Sequence, residues 1–217
     1  MSARDRILAA ARRQIPETDA NRAATAAERL RSRVQTSLVP EIARLSGEER
    51  VQWFINQAEA VHTTVSRIGA VDELPEALSS ELRNRNLPQS VRLGEDSAFD
   101  GLEWGMIETS SGKGRVFEPA TLSRAFAGSA ETGTLVLTSG ADNPVTLTFL
   151  GETHFVVVRA SEIQAGMEGV WKELRASGRD PRTVNFVTGP SRTGDIESKL
   201  ELGAHGPIAL HVFVVDS

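Results

Sequence analysis

The sequence predicts an α/β protein: an open, mostly parallel sheet with a helical extension at its N-terminus. Three observations carry the prediction. Val184-Asn185-Phe186-Val187 and Leu210-His211-Val212-Phe213-Val214-Val215 are short β-branched runs bounded by Gly and Pro, which is how buried strands read. His154-Phe155-Val156-Val157-Val158 is a third such run, and a helical stretch over 160–176 follows it with Ile163, Met167, Val170, Trp171 and Leu174 on one side. Before residue 88 the texture is helical, and after it short strands alternate with helices and glycine turns, the pattern of a layered α/β sheet.

The elements follow in order. Residues 2–15 read as a helix with Ile7, Leu8, Ala11 and Ile15 on one face, Arg12 and Arg13 opposite, and Pro16 as its stop. A second helix, 22–38, is thinly apolar (Leu30, Val34, Leu38) and is interrupted at Pro40; a short apolar step at Ile42 and Leu45 follows. Val51, Phe54, Ile55, Ala58, Val61, Val65 and Ile68 recur at three- and four-residue steps, predicting one long helix over 48–68 with His62 beside its stripe and Gly69 ending it. A helix over 74–86 completes the extension, 1–88, which is expected to lean on the α/β domain, 89–217, rather than fold alone. Strands are predicted at 90–93, 102–107 and 134–138, with 145–150 a strand or edge segment and 110–114 a turn.

Composition narrows the function. The formal net charge is −5, which argues against a general nucleic-acid binder. The first 35 residues carry eight Arg against four acids, +4, leaving −9 for the remainder; this reads as a solvated helical face or a dock for an acidic protein. There is no cysteine, so the chain can supply neither a thiolate nucleophile nor a cysteine-held iron–sulfur cluster. Four histidines without HxH or HExxH spacing predict no metal site. No apolar stretch approaches a membrane span and no apolar signal core opens the chain, so a cytoplasmic location is expected.

The most informative segment lies between the runs at 184–187 and 210–215. It contains Gly189-Pro190-Ser191-Arg192-Thr193-Gly194-Asp195-Ile196-Glu197 and then Gly203-Ala204-His205-Gly206-Pro207. The gap is long enough for a parallel crossover, so the unit reads as strand, loop, helix, loop, strand, with the glycine-rich loop at the carboxyl end of the first strand, where open sheets take ligands. Gly189 and Gly194 allow close backbone approach, Ser191 and Thr193 offer hydroxyls, and Arg192 offers a forked cation. Asp195, Ile196 and Glu197 would begin a helix whose free N–H groups face the same anion, although Asp195 could equally cap that helix itself. No dinucleotide or Walker fingerprint is present; Gly112-Lys113-Gly114 reads as a hairpin tip.

These motifs, together with Ala130-Glu131-Thr132-Gly133-Thr134-Leu135 and the closing strand, resemble the lactate utilization protein C family, also called the LUD domain family, over roughly residues 100–217. The resemblance implies a fold of the sugar-phosphate isomerase and coenzyme A transferase type. It implies a subunit of a system oxidising L-lactate to pyruvate, with iron–sulfur clusters on partner subunits and no cofactor on this chain. It brings no assigned catalytic residue. Glu131 could be a general base and Thr132 and Gly133 part of the site, or all three could simply build a turn; His205, set between glycines, could move a proton or fix its loop. A Ser191–His205–Asp195 triad lacks the Gly-x-Ser-x-Gly elbow. The site is thus expected to hold a small carboxylate or phosphate at Gly189, Ser191, Arg192, Thr193, Gly194 and Asp195. The alternatives are a stand-alone phosphate- or nucleotide-dependent enzyme similar to 5-formyltetrahydrofolate cyclo-ligase, using Glu131 and His205, and an interaction scaffold.

Overall fold

The computed structural model describes residues 2–14, 20–32, 41–194 and 200–216. Expectations placed on Ile15, Val34, Leu38, Asp195, Ile196 and Glu197 fall outside these residues. The chain divides into two compact units, residues 1–39 and 40–217.

The first unit holds α1 (Ala3–Gln14) and α2 (Ala20–Arg31). Ser2 and Asp5 start α1 by capping one another: Ser2 N–H donates to Asp5 Oδ2 at 2.9 Å and Asp5 N–H to Ser2 Oγ at 3.2 Å. Ile7 and Leu8 are exposed.

The second unit runs through α3 (Gly47–Ala60), β1 (Thr64–Ile68), α4 (Leu74–Asn84), β2 (Ser90–Leu93), β3 (Glu108–Ser111), β4 (Glu118–Arg124), β5 (Ala127–Ser129), β6 (Thr134–Thr138), α5 (Val145–Leu150), β7 (Gly151–Arg159), β8 (Ile163–Gln164), α6 (Met167–Ala176), β9 (Val184–Val187), β10 (Arg192–Gly194), β11 (Leu200–Leu202) and β12 (Ala209–Val215). Six strands form the main sheet in the order β1-β12-β7-β4-β2-β3, and every pairing is parallel. A four-stranded sheet, β8-β5-β6-β9, stands beside it, and β10 with β11 makes a separate hairpin.

The period-two alternation of β7 and β12 sorts the core. Phe155, Val157, Phe213 and Val215 face α4 through Leu74, Leu78 and Leu82. Val156, Val158, Val212 and Val214 face the opposite way, onto Val51, Phe54 and Ile55 of α3 and Leu135, Leu137 and Ile163 of the small sheet. Val170 of α6 covers the far side of the small sheet at Val136. Both faces of the parallel sheet are therefore buried, as such sheets require.

Several expectations are corrected. The long helix over 48–68 ends at Ala60. His62 takes a left-handed φ of 65°, its N–H returns to Glu59 O, and Thr63 N–H returns to Ala58 O at 3.0 Å, a Schellman stop. Val65 and Ile68, which kept the helical spacing by coincidence, lie on β1 paired with β12. Residues 41–88, read as part of an extension, thus give the sheet an edge strand and both faces a covering helix. Residues 102–107 form no strand, the strand being displaced to β3; residues 145–150 are the short helix α5; and the helix over 160–176 begins only at Met167, after β8. Central strand β4 escaped the sequence reading because its inward positions Thr121 and Ser123 are polar. They are buried with partners, Thr121 Oγ1 donating to Leu147 O at 2.8 Å and Ser123 Oγ bonding His154 Nε2 at 3.0 Å.

The largest correction concerns the glycine-rich segment. β9 pairs antiparallel with β6 in the small sheet, whereas β12 lies in the main one. They are not neighbours across a parallel crossover. The segment follows the carboxyl end of β9 but enters the main sheet at the amino end of β12.

Candidate functional site

The segment leaves the small sheet through Thr188 and Gly189, folds into the β10–β11 hairpin with Arg192 opposite Leu202, and returns through Gly203–Pro207 to β12. Ser191 fastens it. Its N–H donates to Pro207 O at 2.9 Å, its carbonyl accepts Gly203 N–H at 3.1 Å, and its Oγ accepts His205 N–H at 3.3 Å. The Ser191 hydroxyl thus holds the backbone of His205 rather than its imidazole. Arg192 is exposed and makes no ion pair among the described residues.

The two motif stretches meet. Thr132 Oγ1 lies 2.6 Å from Thr134 Oγ1, which lies 2.7 Å from Thr188 Oγ1. Both adjacent glycines press on the end of α3. A Cβ on Gly133 would stand 2.3 Å from Ala58 N, and one on Gly189 would stand 2.5 Å from Val61 O; both residues also have positive φ. Their first duty is to let two loops seat against that helix end. Glu131 sits elsewhere. Its N–H donates to Ala165 O at 3.0 Å, and its carboxylate lies 3.0 Å from where a Gly166 Cβ would be, at the start of α6, where a negative charge complements the helix dipole. Glu131 and His205 share no hydrogen bond or ion pair among the described residues.

Next to the hairpin the amino edge of the main sheet opens into a hollow of about 360 Å³, walled by Phe117, Phe149, Glu152, His205, Gly206 and Ile208. Its rim is unusually apolar for a surface: Phe117 is 80% exposed, Val116 62% and Ile208 50%. Phe117 also holds φ at 64°, a conformation that costs an aromatic residue about 1–2 kcal/mol. Phe117→Asn, which suits that conformation, is expected to raise stability by about 1 kcal/mol, read as a rise in urea midpoint; a fall would mean the ring stabilises the fold despite its exposure.

His154 and His211 lie in the core. His154 is fully buried against Ser123 and does not reach the sheet edge. His211, 1% exposed, packs between Phe155 and Phe213, with Nδ1 2.7 Å from Thr64 Oγ1 and 3.3 Å from an Arg85 Nη2. Burial pushes the pKa of each down to about 3, with the Arg85 guanidinium adding to the effect at His211. Glu81 stands 3.6 Å from His211 and would favour the charged ring, but it is already paired with Arg85 at 3.2 Å. No group of three metal-ligating side chains occurs among the described residues, and none of the described helices is long and apolar enough to cross a membrane.

The sequence missed Phe117, Phe149 and Ile208. Only folding collects these apolar residues, separated by long stretches of chain, at one sheet edge; a positive φ on a phenylalanine leaves no trace in the sequence.

An open parallel sheet with a second small sheet on one face, its strand β12 entered from the amino side by a glycine-rich hairpin, defines the fold class of the protein. The fold is similar to that of a crystal structure of a DUF162 family protein from Deinococcus radiodurans, with a TM-score of 0.61, 24% identity and coverage of 79% of this chain and 99% of that one. The LUD domain model matches residues 119–215. Lactate utilization protein C of Halalkalibacterium halodurans is 30% identical over 187 residues, spanning 79% of this chain and 81% of the relative. Lactate utilization protein C 1 of Bacillus mycoides is 28% identical over 194 residues with the same coverage. The chain belongs to the LUD domain family of lactate utilization proteins.

Proposed function

We propose that this chain is a non-redox subunit of a system that oxidises L-lactate to pyruvate, and that its 189–206 segment holds a small anionic ligand. Oxidising lactate removes two electrons and two protons; a chain without cysteine holds no thiolate-ligated cluster to take those electrons, and the resemblance to the lactate utilization family implies iron–sulfur clusters on partner subunits as their acceptors. The names of the relatives support the pathway. The observation that carries the ligand role is Arg192, an exposed guanidinium with no ion pair among the described residues, displayed on a hairpin whose base Ser191 ties down by three hydrogen bonds. Such a fork is suited to a carboxylate or phosphate. Thr193, beside it, offers a hydroxyl; Gly189, Thr132 and Gly133 set the loops rather than touch the ligand. A stand-alone enzyme would need Glu131 and His205 to act together, and their separate environments give that reading no support.

Arg192→Ala tests the proposal. In a host lacking its own copy, growth on L-lactate should be lost while the purified variant unfolds within about 0.5 kcal/mol of the parent, as surface changes do. Full growth with the alanine variant would remove the hairpin cation from the function.

A further inference from the structure

The connection from β2 to β3 encloses a hollow of about 500 Å³ at the edge of the main sheet. Leu93 and Ser111, the last residues of those two strands, border it, so it lies at the carboxyl end, where open α/β sheets take ligands. Glu95, Asp96 and Asp100 give it carboxylates, Phe99 and Trp104 give it an aromatic wall, and no Lys, Arg or His lines it among the described residues. It shares no residue with the hollow beside the hairpin.

The frame is held by backbone and core contacts. Glu95 N–H donates to Ala141 O at 3.0 Å, and Gly112 N–H to Leu93 O at 2.9 Å. A Cβ on Gly94 would stand 1.9 Å from Asp142 O, which fastens the start of the connection to the loop after β6. Phe99 belongs to the core cluster of Leu74 and Leu78, with Trp104 packed on it. The two rings meet edge to face, their centroids 6.4 Å apart. Trp104 is only half-buried.

Asp96 is the residue that points to a ligand. It is 8% exposed, and its Oδ1 accepts Ala98 N–H at 2.9 Å. Its Oδ2 has no hydrogen bond or ion pair among the described residues, yet it is not one of the atoms sealed from solvent. A carboxylate drawn this far out of water without a counter-charge is costly. On its other side Asp96 borders a smaller polar cavity with Arg124 and Arg179. Those guanidinium groups pair with Glu162 and Asp142 instead, and Glu95 and Asp100 make no ion pair among the described residues. The missing partner is therefore a cation from outside the chain.

The shape of the hollow narrows the kind of cation. No three acidic side chains among the described residues stand close enough to hold one metal ion, so the carboxylates do not converge on a point charge. They are spread around a space far larger than an ion, beside aromatic faces that attract ammonium groups and receive the methylene stems between them. We propose that this hollow binds an aliphatic polyamine. One ammonium donates to Asp96 Oδ2, the methylene chain lies along Trp104 and Phe99, and a second ammonium is met by Glu95 or Asp100. The proposal stands independently of the anion role assigned to the hairpin.

The test is a titration of the ¹⁵N-labelled full chain with spermidine up to about 5 mM, a range that reaches sub-millimolar affinity. Sodium chloride at about 0.15 M screens diffuse attraction. A saturable shift of the Trp104 indole N–H is expected by NMR, with those of Trp53 and Trp171 unmoved and no comparable response to Mg²⁺ at equal charge. By calorimetry, Asp96→Asn should weaken spermidine binding about tenfold or more, because it removes a charged acceptor and can keep the bond to Ala98. The proposal is overturned if spermidine leaves the Trp104 signal unmoved, if Mg²⁺ shifts it as strongly, or if Asp96→Asn binds spermidine as tightly as the parent. Should Asp96→Asn not fold, Trp104→Leu takes its place in calorimetry. A loss of about threefold is expected from removing the aromatic face, and unchanged affinity overturns the proposal.

Discussion

Between pH 8 and pH 5 the protein is expected to lose about 4 kcal/mol of stability through two buried histidines. His154 and His211 have their pKa values held down to about 3 in the folded chain and return to about 6.5 on unfolding. The unfolded chain therefore takes up two protons that the native chain refuses. Their stabilisation is complete above the unfolded value and is lost as pH falls from there toward about 3. At pH 5 each histidine is about 1.5 units below its unfolded value, or about 2 kcal/mol. Against a total of roughly 5–15 kcal/mol for a domain, that is a large share. The cause is structural: His154 has only Ser123 Oγ as a partner, and the second ring nitrogens of both residues are buried without one among the described residues. Urea unfolding at successive pH values measures the slope, which should approach two protons near pH 5. Stability that stayed flat over this window would mean that the rings are accessible to water.

Gly133→Ala is expected to cost about 3 kcal/mol or more. Two penalties combine. Gly133 has a φ of 63°, disfavoured for alanine, and the added methyl would meet the backbone of α3 at Ala58 N, 2.3 Å away, and Gln57 C, 2.5 Å away. Neither atom is the end of a flexible side chain, so the turn or the helix end has to move, and with it the Thr132–Thr134–Thr188 hydroxyl chain. Gly178 provides the control: its φ is 67°, but nothing lies within 4 Å of a Cβ there. Gly178→Ala should cost only the backbone preference, about 1 kcal/mol. Equal losses at the two positions, measured by denaturant midpoints, would show that the close approach to α3 has no energetic weight.

How far the sequence was legible depends on what each residue's surroundings had to supply. The runs that became β7, β9 and β12 were readable because they are short, mostly apolar and rich in β-branched residues. β4 was not, because the hydroxyls of Thr121 and Ser123 are satisfied by Leu147 O and His154, residues brought there by folding. The stop of α3 was hidden because His62 does the work usually given to glycine, while Val65 and Ile68 happened to continue the helical spacing. In the candidate site the motif glycines were visible, but their reason, the seating of two loops against Ala58 and Val61, was not.

The amino-acid sequence determined the α/β class, the strands β7 and β12 and the chain's inability to ligate a cluster with thiolates, because each follows from local composition and periodicity; the family was legible in the motifs that resemble it. The tertiary structure alone decided that β9 and β12 belong to different sheets and that the glycine-rich segment meets the main sheet at its amino edge. Strand order and edge depend on pairings between residues far apart in the chain, and no local pattern encodes which partner a strand will choose.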